Sequence, residues 1–369
     1  MTQITIDQES GIEHRHYGET LVASRRLTIQ ARAELPAALE RLAREVTAKR
    51  SSAAITGPPF VLFHFITSVE DGSDVEVGVP VTLPVETAWV SSRLLPALEV
   101  LSLRHTGPLE KLGESYGKLY GFASAHGVVS DEFCREVYLD VRDPGDCEVE
   151  VQLVVHNWNA LLAGNLERVL GPAGRVEVMQ GSGGIDVETA LDDRFRWVKG
   201  AVERLDRLAD EGQTYDVLSS CAHVFPAGQV AKLAAVYQEA RARTGDPLQA
   251  VDAVIAFMDR DPGWPAGMRR EGRIVYDAKK PRDPQAYEKA QSEGEKKKAY
   301  CFCPIVRSHL DRGMPSSFCY CGSGWYRRQW EGAIGQPVTI DVVKSILKGD
   351  EVCQFAIHLP DEFERQGAK

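Results

Sequence analysis

Four of the chain's eight cysteines fall into two Cys-x-Cys pairs inside "AYCFCPIVRSHLDRGMPSSFCYCGSGW": Cys301 with Cys303, and Cys319 with Cys321. In extended chain, residues i and i+2 point the same way, so each pair can offer two sulfurs to one centre. Gly313 and Pro315, between the pairs, permit the chain reversal that would bring them together. Four thiolates in a tetrahedron form a closed structural zinc site, so zinc is the cofactor this spacing implies, with Cys301, Cys303, Cys319 and Cys321 as ligands. Cys221 with His223 makes a third chelating pair, and His309 and Cys353 are spare candidates. The same residues could instead supply a redox or catalytic thiol, with His309, His223 or His358 as its base. They could also be ordinary buried cysteines, acting as small apolar side chains. The neighbours Phe302, Phe318, Tyr320 and Trp325 point to a buried setting and hence to a structural role.

A second grouping lies in "CREVYLD". On a strand, Cys134, Glu136 and Tyr138 share one face, while Arg135, Val137 and Leu139 take the other. If the first set faces a groove, a carboxylate and a phenol stand side by side among aromatics. A carboxylate desolvated there calls for a cation or for hydrogen-bond donors. Such a site suits a cationic aromatic ligand, read by ring faces and one counter-charge. A strand glutamate pointing into water is the plainer alternative.

The elements that must position these residues form one pattern written twice, from about residue 20 to 156. The first copy runs strand "LVASRRLTIQ", helix "AELPAALERLAREVTAKR", then strands "PFVLFHFITS" and "DVEVGVPVTL". The second runs strand "LEVLSLRHTG", helix "PLEKLGESYGKLYGFASAHG", then strands "FCREVYLDV" and "CEVEVQLVV". A single offset lays Leu35 on Leu109, Leu62 on Glu136, His64 on Tyr138 and Val75 on Val149. The alternation in "DVEVGVPV" is a period-two strand signal, and Leu109, Leu112, Tyr116, Leu119 and Tyr120 recur at helical spacing. A duplicated β-α-β-β unit can pair its sheets across a pseudo-twofold axis, leaving a groove between the halves. Tyr116 and Tyr120 from the second helix, and Phe63 and His64 from the matching strand of the first copy, join Glu136 and Tyr138 as candidate ligand-binding residues.

Beyond "VVHNWNALLAGNLERVLGPAG" the texture turns helical. Trp197, Val198, Ala201, Leu205 and Leu208 form one stripe, and Val230, Leu233, Tyr237 and Ala240 another. A helix opening at Asp246-Pro247 follows. The polar stretch from Lys279 to Lys298 reads as surface, and "VTIDVVKSILKGDEVCQFAIHL" as a closing hairpin. The fold class expected is therefore α+β: a duplicated β-α-β-β domain over residues 1–157, then a mostly helical, cysteine-rich α+β domain over 158–369.

The first half resembles the GyrI-like effector-binding domain, the ligand-binding half of many bacterial multidrug-responsive regulators. The turn "RHTGPLE" keeps Gly107 and Pro108 of that family's pattern but has His105 and Leu109 where aromatics are common. The resemblance puts the family's pocket acid at Glu136. It also implies an alternative function, because some GyrI-like proteins are hydrolases that open electrophilic cyclopropane-bearing toxins. Glu136 and Tyr138 would then be the catalytic residues. The second half resembles an uncharacterised bacterial family through "CFCP", "CYCGSGW" and "GDEVCQF", and its closing hairpin is similar to the four-vinyl-reductase-like sensor fold.

Composition narrows the partners. The net charge is −10 and the pI near 5.5, which argues against a nucleic-acid surface. No apolar run approaches the roughly 18 residues of a membrane span. The opening "MTQITIDQES" lacks the basic and apolar segments of a signal peptide, so a cytoplasmic location is expected. The function expected is small-molecule binding in a GyrI-like pocket. The alternatives are a hydrolase there or a thiol- or metal-dependent enzyme in the second domain.

Overall fold

The computed structural model describes residues 3–7, 11–48, 54–66, 72–140, 145–222, 227–260, 264 and 266–363. The chain forms two compact units. The first comprises Met1–Ala125, Val129–His156 and Pro226–Gln229; the second comprises His126–Val128, Asn157–Phe225 and Val230–Lys369.

In the first unit, β1 (Gln3–Asp7) and β2 (Ile12–Tyr17) precede the repeat. The first copy is β3 (Thr20–Ile29), α1 (Leu35–Ala48), β4 (Phe60–Ile66) and β5 (Ser73–Pro80). After β6 (Ser91–Leu95) comes the second copy: β7 (Leu98–Gly107), α2 (Leu112–Ala125), β8 (Ser130–Asp140) and β9 (Cys147–Val155). The sheet order is β1-β2-β7-β9-β8-β4-β5-β3-β6. Each copy contributes three adjacent strands, and the copies meet where β4 pairs antiparallel with β8.

Register decides which side chains meet. Val61 lies opposite Glu136 and Phe63 opposite Cys134, so these four share one face of the seam. On the other face Val22, Phe60, Leu62, Leu95, Leu98, Val100 and Val154 form an apolar cluster. Gly78 is part of that packing: a Cβ there would sit 2.4 Å from the Phe60 ring, so the ring lies on bare backbone. The single offset expected between the copies does not hold along the strands: Val75 pairs with Phe63 and Val149 with Tyr138, so Phe63, not His64, corresponds to Tyr138. Leu62 therefore packs on the face opposite Glu136. A one-residue slip exchanges faces.

The second unit opens with α3 (Trp158–Val178), started by Asn157, whose side chain accepts from the Ala160 amide, and kinked at Gly171-Pro172, where Gly171 has φ 75°. Then come α4 (Leu191–Leu208), α5 (Glu211–Ser219), α6 (Ala227–Thr244) and α7 (Pro247–Arg260). The expected stripes are buried at Trp197, Val198, Ala201, Leu205, Leu233, Tyr237 and Ala240. Leu208, at the end of α4, is exposed instead. The chain continues through β10 (Arg269–Glu271), β11 (Ile274–Ala278), α8 (Pro284–Lys289), α9 (Glu293–Tyr300) and α10 (Tyr320–Ile334) to β12 (Thr339–Lys344) and β13 (Gln354–His358). The closing hairpin is completed by β10 and β11 into a four-stranded sheet, β10-β11-β13-β12. The glycine of "CYCGSGW" has a packing role: a Cβ on Gly324 would lie 1.7 Å from the Ser219 carbonyl oxygen, so α5 and α10 touch through it. Among the described residues no helix is long and apolar enough to cross a membrane.

Candidate functional site

Glu136 has no exposed surface. Its Oε1 accepts from the Tyr116 hydroxyl at 2.8 Å, and its Oε2 from the Tyr138 hydroxyl at 2.7 Å. A third donor is Arg32, whose guanidinium also bonds Oε1 and lies 4.9 Å from the centre of the Phe63 ring. Four elements converge here. β8 supplies Glu136 and Tyr138, and β4 across the seam supplies Phe63. α2 turns Leu112, Ser115, Leu119 and Ala123 into the core, which leaves Tyr116 and Tyr120, one turn apart, on a neighbouring stripe. Arg32 comes from a 3₁₀ turn, Arg32–Glu34, pinned by Glu34 Oε1, which accepts from the backbone amides of Gln30 and Ala31 at 2.8 Å each. The Tyr120 ring stacks 6.3 Å from Tyr116, and its hydroxyl meets the Cys134 thiol at 3.4 Å.

Electrostatics keep the two phenols and the guanidinium protonated. Burial, reinforced by the Glu136 charge, holds the Tyr116 and Tyr138 phenols well above their ordinary range, so both remain donors. Burial alone would lower the Arg32 guanidinium, but the charge and hydrogen bond of Glu136 outweigh it and leave it above its ordinary value. The carboxylate thus holds three donors and a full counter-charge. A general base needs a lone pair free for water. Here three of the carboxylate's roughly four lone-pair sites are taken, two on Oε1 by Arg32 and Tyr116 and one on Oε2 by Tyr138.

The structure gathers Glu136, Tyr138, Tyr116, Phe63 and, at the margin, Tyr120. It does not bring His64 to them. His64 Nε2 lies 2.9 Å from Glu76, which pairs opposite Leu62, and Glu76 also accepts two bonds from Arg93 at 2.7 and 2.8 Å. Burial tends to raise the Glu76 carboxyl, but the bonds from His64 and Arg93 take it down to about 2. His64 therefore belongs to an ion-pair network on the opposite face. Arg32 was not anticipated. The one signal was that the second copy places an apolar, buried Leu109 at the start of its own 3₁₀ turn, where the first has a charge.

In the second unit, Cys303 and Cys321 pack against the apolar core of Trp158, Leu162, Phe195, Val217 and Phe318, and Cys221 lies within it. Burial pushes the thiols of Cys301, Cys303, Cys319 and Cys321 up to about 12, so at neutral pH they are protonated and poor nucleophiles. Among the described residues, three metal-type ligand atoms lie mutually within 4.8 Å at one place, His14, His16 and Glu99, and the four thiols of the two pairs form no such group. His309 stacks on Phe195 and bonds Asp192 at 2.9 Å, and His358 bonds Asp341 at 2.8 Å, each held in a carboxylate pair. His223 lies outside the described residues. Lys279, at the end of β11, points its ammonium at four rings: Phe302, Trp325, Tyr326 and Phe355, 5.0 to 5.4 Å from their centres. Cys353, Asp277, Cys301 and Cys319 are near enough to act on it electrostatically. Asp277, two residues earlier and buried, accepts instead from the Tyr326 hydroxyl.

Residues 18–156 form a GyrI-like small molecule binding domain: they match that family's sequence model, and the duplicated fold agrees. No curated protein matches the sequence. Among solved structures, the chain is similar to EcmrR in a complex with DNA (21% identity, TM-score 0.37), over 39% of this chain and 56% of that one. The chain thus spans little more than half of that protein's length. It is also similar to the EcmrR C-terminal domain (21% identity, TM-score 0.36, over 39% and 96%) and to a hydrolase from Listeria innocua (11% identity, TM-score 0.30, over 40% and 92%).

Proposed function

We propose that the first unit binds an amphipathic aromatic cation in the groove above the β4–β8 seam. The cation takes the place of the Arg32 guanidinium on Glu136, and its rings lie against Phe63, Tyr116 and Tyr120. One observation carries this reading: a fully buried carboxylate already holds a cation above an aromatic ring, supplied by the protein itself. A ligand offering the same charge with more apolar surface can exchange for it, because Arg32 is one-third exposed and can turn to water.

Titration of the full chain with tetraphenylphosphonium, followed by calorimetry, tests this. Binding is expected, and Glu136→Gln should weaken it by about 1–3 kcal/mol, the scale of a lost charge-assisted contact. Affinity unchanged by Glu136→Gln would remove the carboxylate from the site.

A further inference from the structure

β2 and β7 carry a cluster that the groove does not use. His14 and His16 stand two residues apart on β2 and so point to the same face of the sheet. β7 runs antiparallel beside them with Glu99 directly opposite His16. Glu99 leans diagonally, and its Oε1 lies 2.9 Å from His14 Nε2. The two imidazole rings meet edge to face with centres 4.6 Å apart. One nitrogen from each histidine and one carboxylate oxygen are all within 4.8 Å of one another.

A His14–Glu99 ion pair would account for two of these groups and leave the third unexplained. Three ligand atoms held at about 2 Å from one tetrahedral ion lie about 3.3 Å apart, so small side-chain rotations close the cluster on a metal. Two imidazoles and one carboxylate suit a first-row divalent ion, and three protein ligands leave coordination open to solvent or substrate. Burial is graded in the sense such a site needs. His14 is 2% exposed and anchors the group, the Glu99 side chain is 15% exposed, and His16 faces water. His14 and His16 precede residue 18, where the family match begins, while Glu99 lies within it, so two of the three ligand residues are additions to the matched stretch.

We propose that His14, His16 and Glu99 bind one divalent transition-metal ion, with at least one coordination position open. Untagged full-length protein, stripped with a chelator, should bind Zn(II) at one site of micromolar or tighter affinity that needs both histidines. Co(II) in its place should give visible bands without a strong thiolate charge-transfer band. His16→Ala, at an exposed position that the fold tolerates, should weaken that site at least tenfold, and His14→Gln likewise, with circular dichroism confirming the fold. His358→Ala removes another histidine bonded to a carboxylate and should change nothing. Millimolar affinity, or a site indifferent to His16→Ala, overturns the proposal. So does a thiolate charge-transfer band that survives both substitutions, since it assigns the ion to the cysteines.

Discussion

In each unit a cationic side chain lies against aromatic rings, and the two settings differ in whether a carboxylate is bonded to it. Arg32 lies over Phe63 and is paired with the buried Glu136. Lys279 faces four rings, and among the described residues no carboxylate is in ion-pair contact with its ammonium; Asp277, bonded by Tyr326, acts on it only through space. Ring faces attract a cation but do not replace a full counter-charge. The consequence appears in the proton affinity. Arg32 sits above its ordinary value despite burial, whereas burial pulls Lys279 below the ordinary 10.5. Residue choice agrees with this: arginine keeps its charge wherever it is placed, and a lysine can shed it.

The largest effect should come from breaking the paired setting. Arg32→Ala leaves the buried Glu136 with two phenol donors and no counter-charge, and should cost about 3 kcal/mol in urea unfolding. Tetraphenylphosphonium should raise the melting temperature of this variant more than that of the wild type, since it restores the missing cation. An equal shift in both would show that Arg32 and the ligand do not share a place.

The unpaired setting should respond in the opposite direction. Lys279→Met keeps the stem among the rings and removes the desolvated charge, and should stabilise the protein by about 1 kcal/mol or more. The gain should depend on pH. A lysine whose folded pKa lies below its unfolded value binds fewer protons folded than unfolded in that window, so wild-type stability climbs as pH approaches 10.5. At lower pH the cost of the charge is present in full. The difference between variant and wild type should therefore shrink between neutral pH and about pH 10. A difference that stays constant would mean that the Lys279 ammonium is solvated.

Smallest is the outlying member of the paired group. Tyr120 is 47% exposed and touches the rest only through Cys134 and the Tyr116 ring. Tyr120→Phe should change stability by less than about 0.5 kcal/mol. A larger loss would bring its hydroxyl into the Glu136 network.

What was legible in the sequence follows the range of the physics. The β-α-β-β units could be read because alternation in "DVEVGVPV" and helical spacing in "PLEKLGESYGKLYG" are local patterns. Glu136 stood out because it shares a strand face with Cys134 and Tyr138 and because the GyrI-like resemblance puts an acid there. Arg32 did not, since a charged residue at the start of a helix is usually solvated, and its partner lies 104 positions away. His64 was placed by an offset that was wrong by one residue, and on a strand that is enough to move a side chain to the other face. The spacing of the Cys-x-Cys pairs predicts two sulfurs per centre only in extended chain. Here Cys321 is the second residue of α10 and Cys319 closes a 3₁₀ turn, so this pair is not in extended chain.

The strands flanking the repeat bear on how this protein meets other copies of itself. A sheet made of the two copies alone would end on β3 and β7, each ten residues long. Free edges of that length recruit strands from other chains. Here β2 covers Leu98 to Leu103 of β7, β6 covers part of β3, and the sheet ends on β1 and β6, five residues apiece. β6 also carries Arg93, fastened to Glu76. These additions act as selvedges on a woven cloth: they add little to the pattern and keep it from joining the next piece. Removing residues 1–17 would bare all of β7, and the expected cost is self-association through that edge, which sedimentation would register.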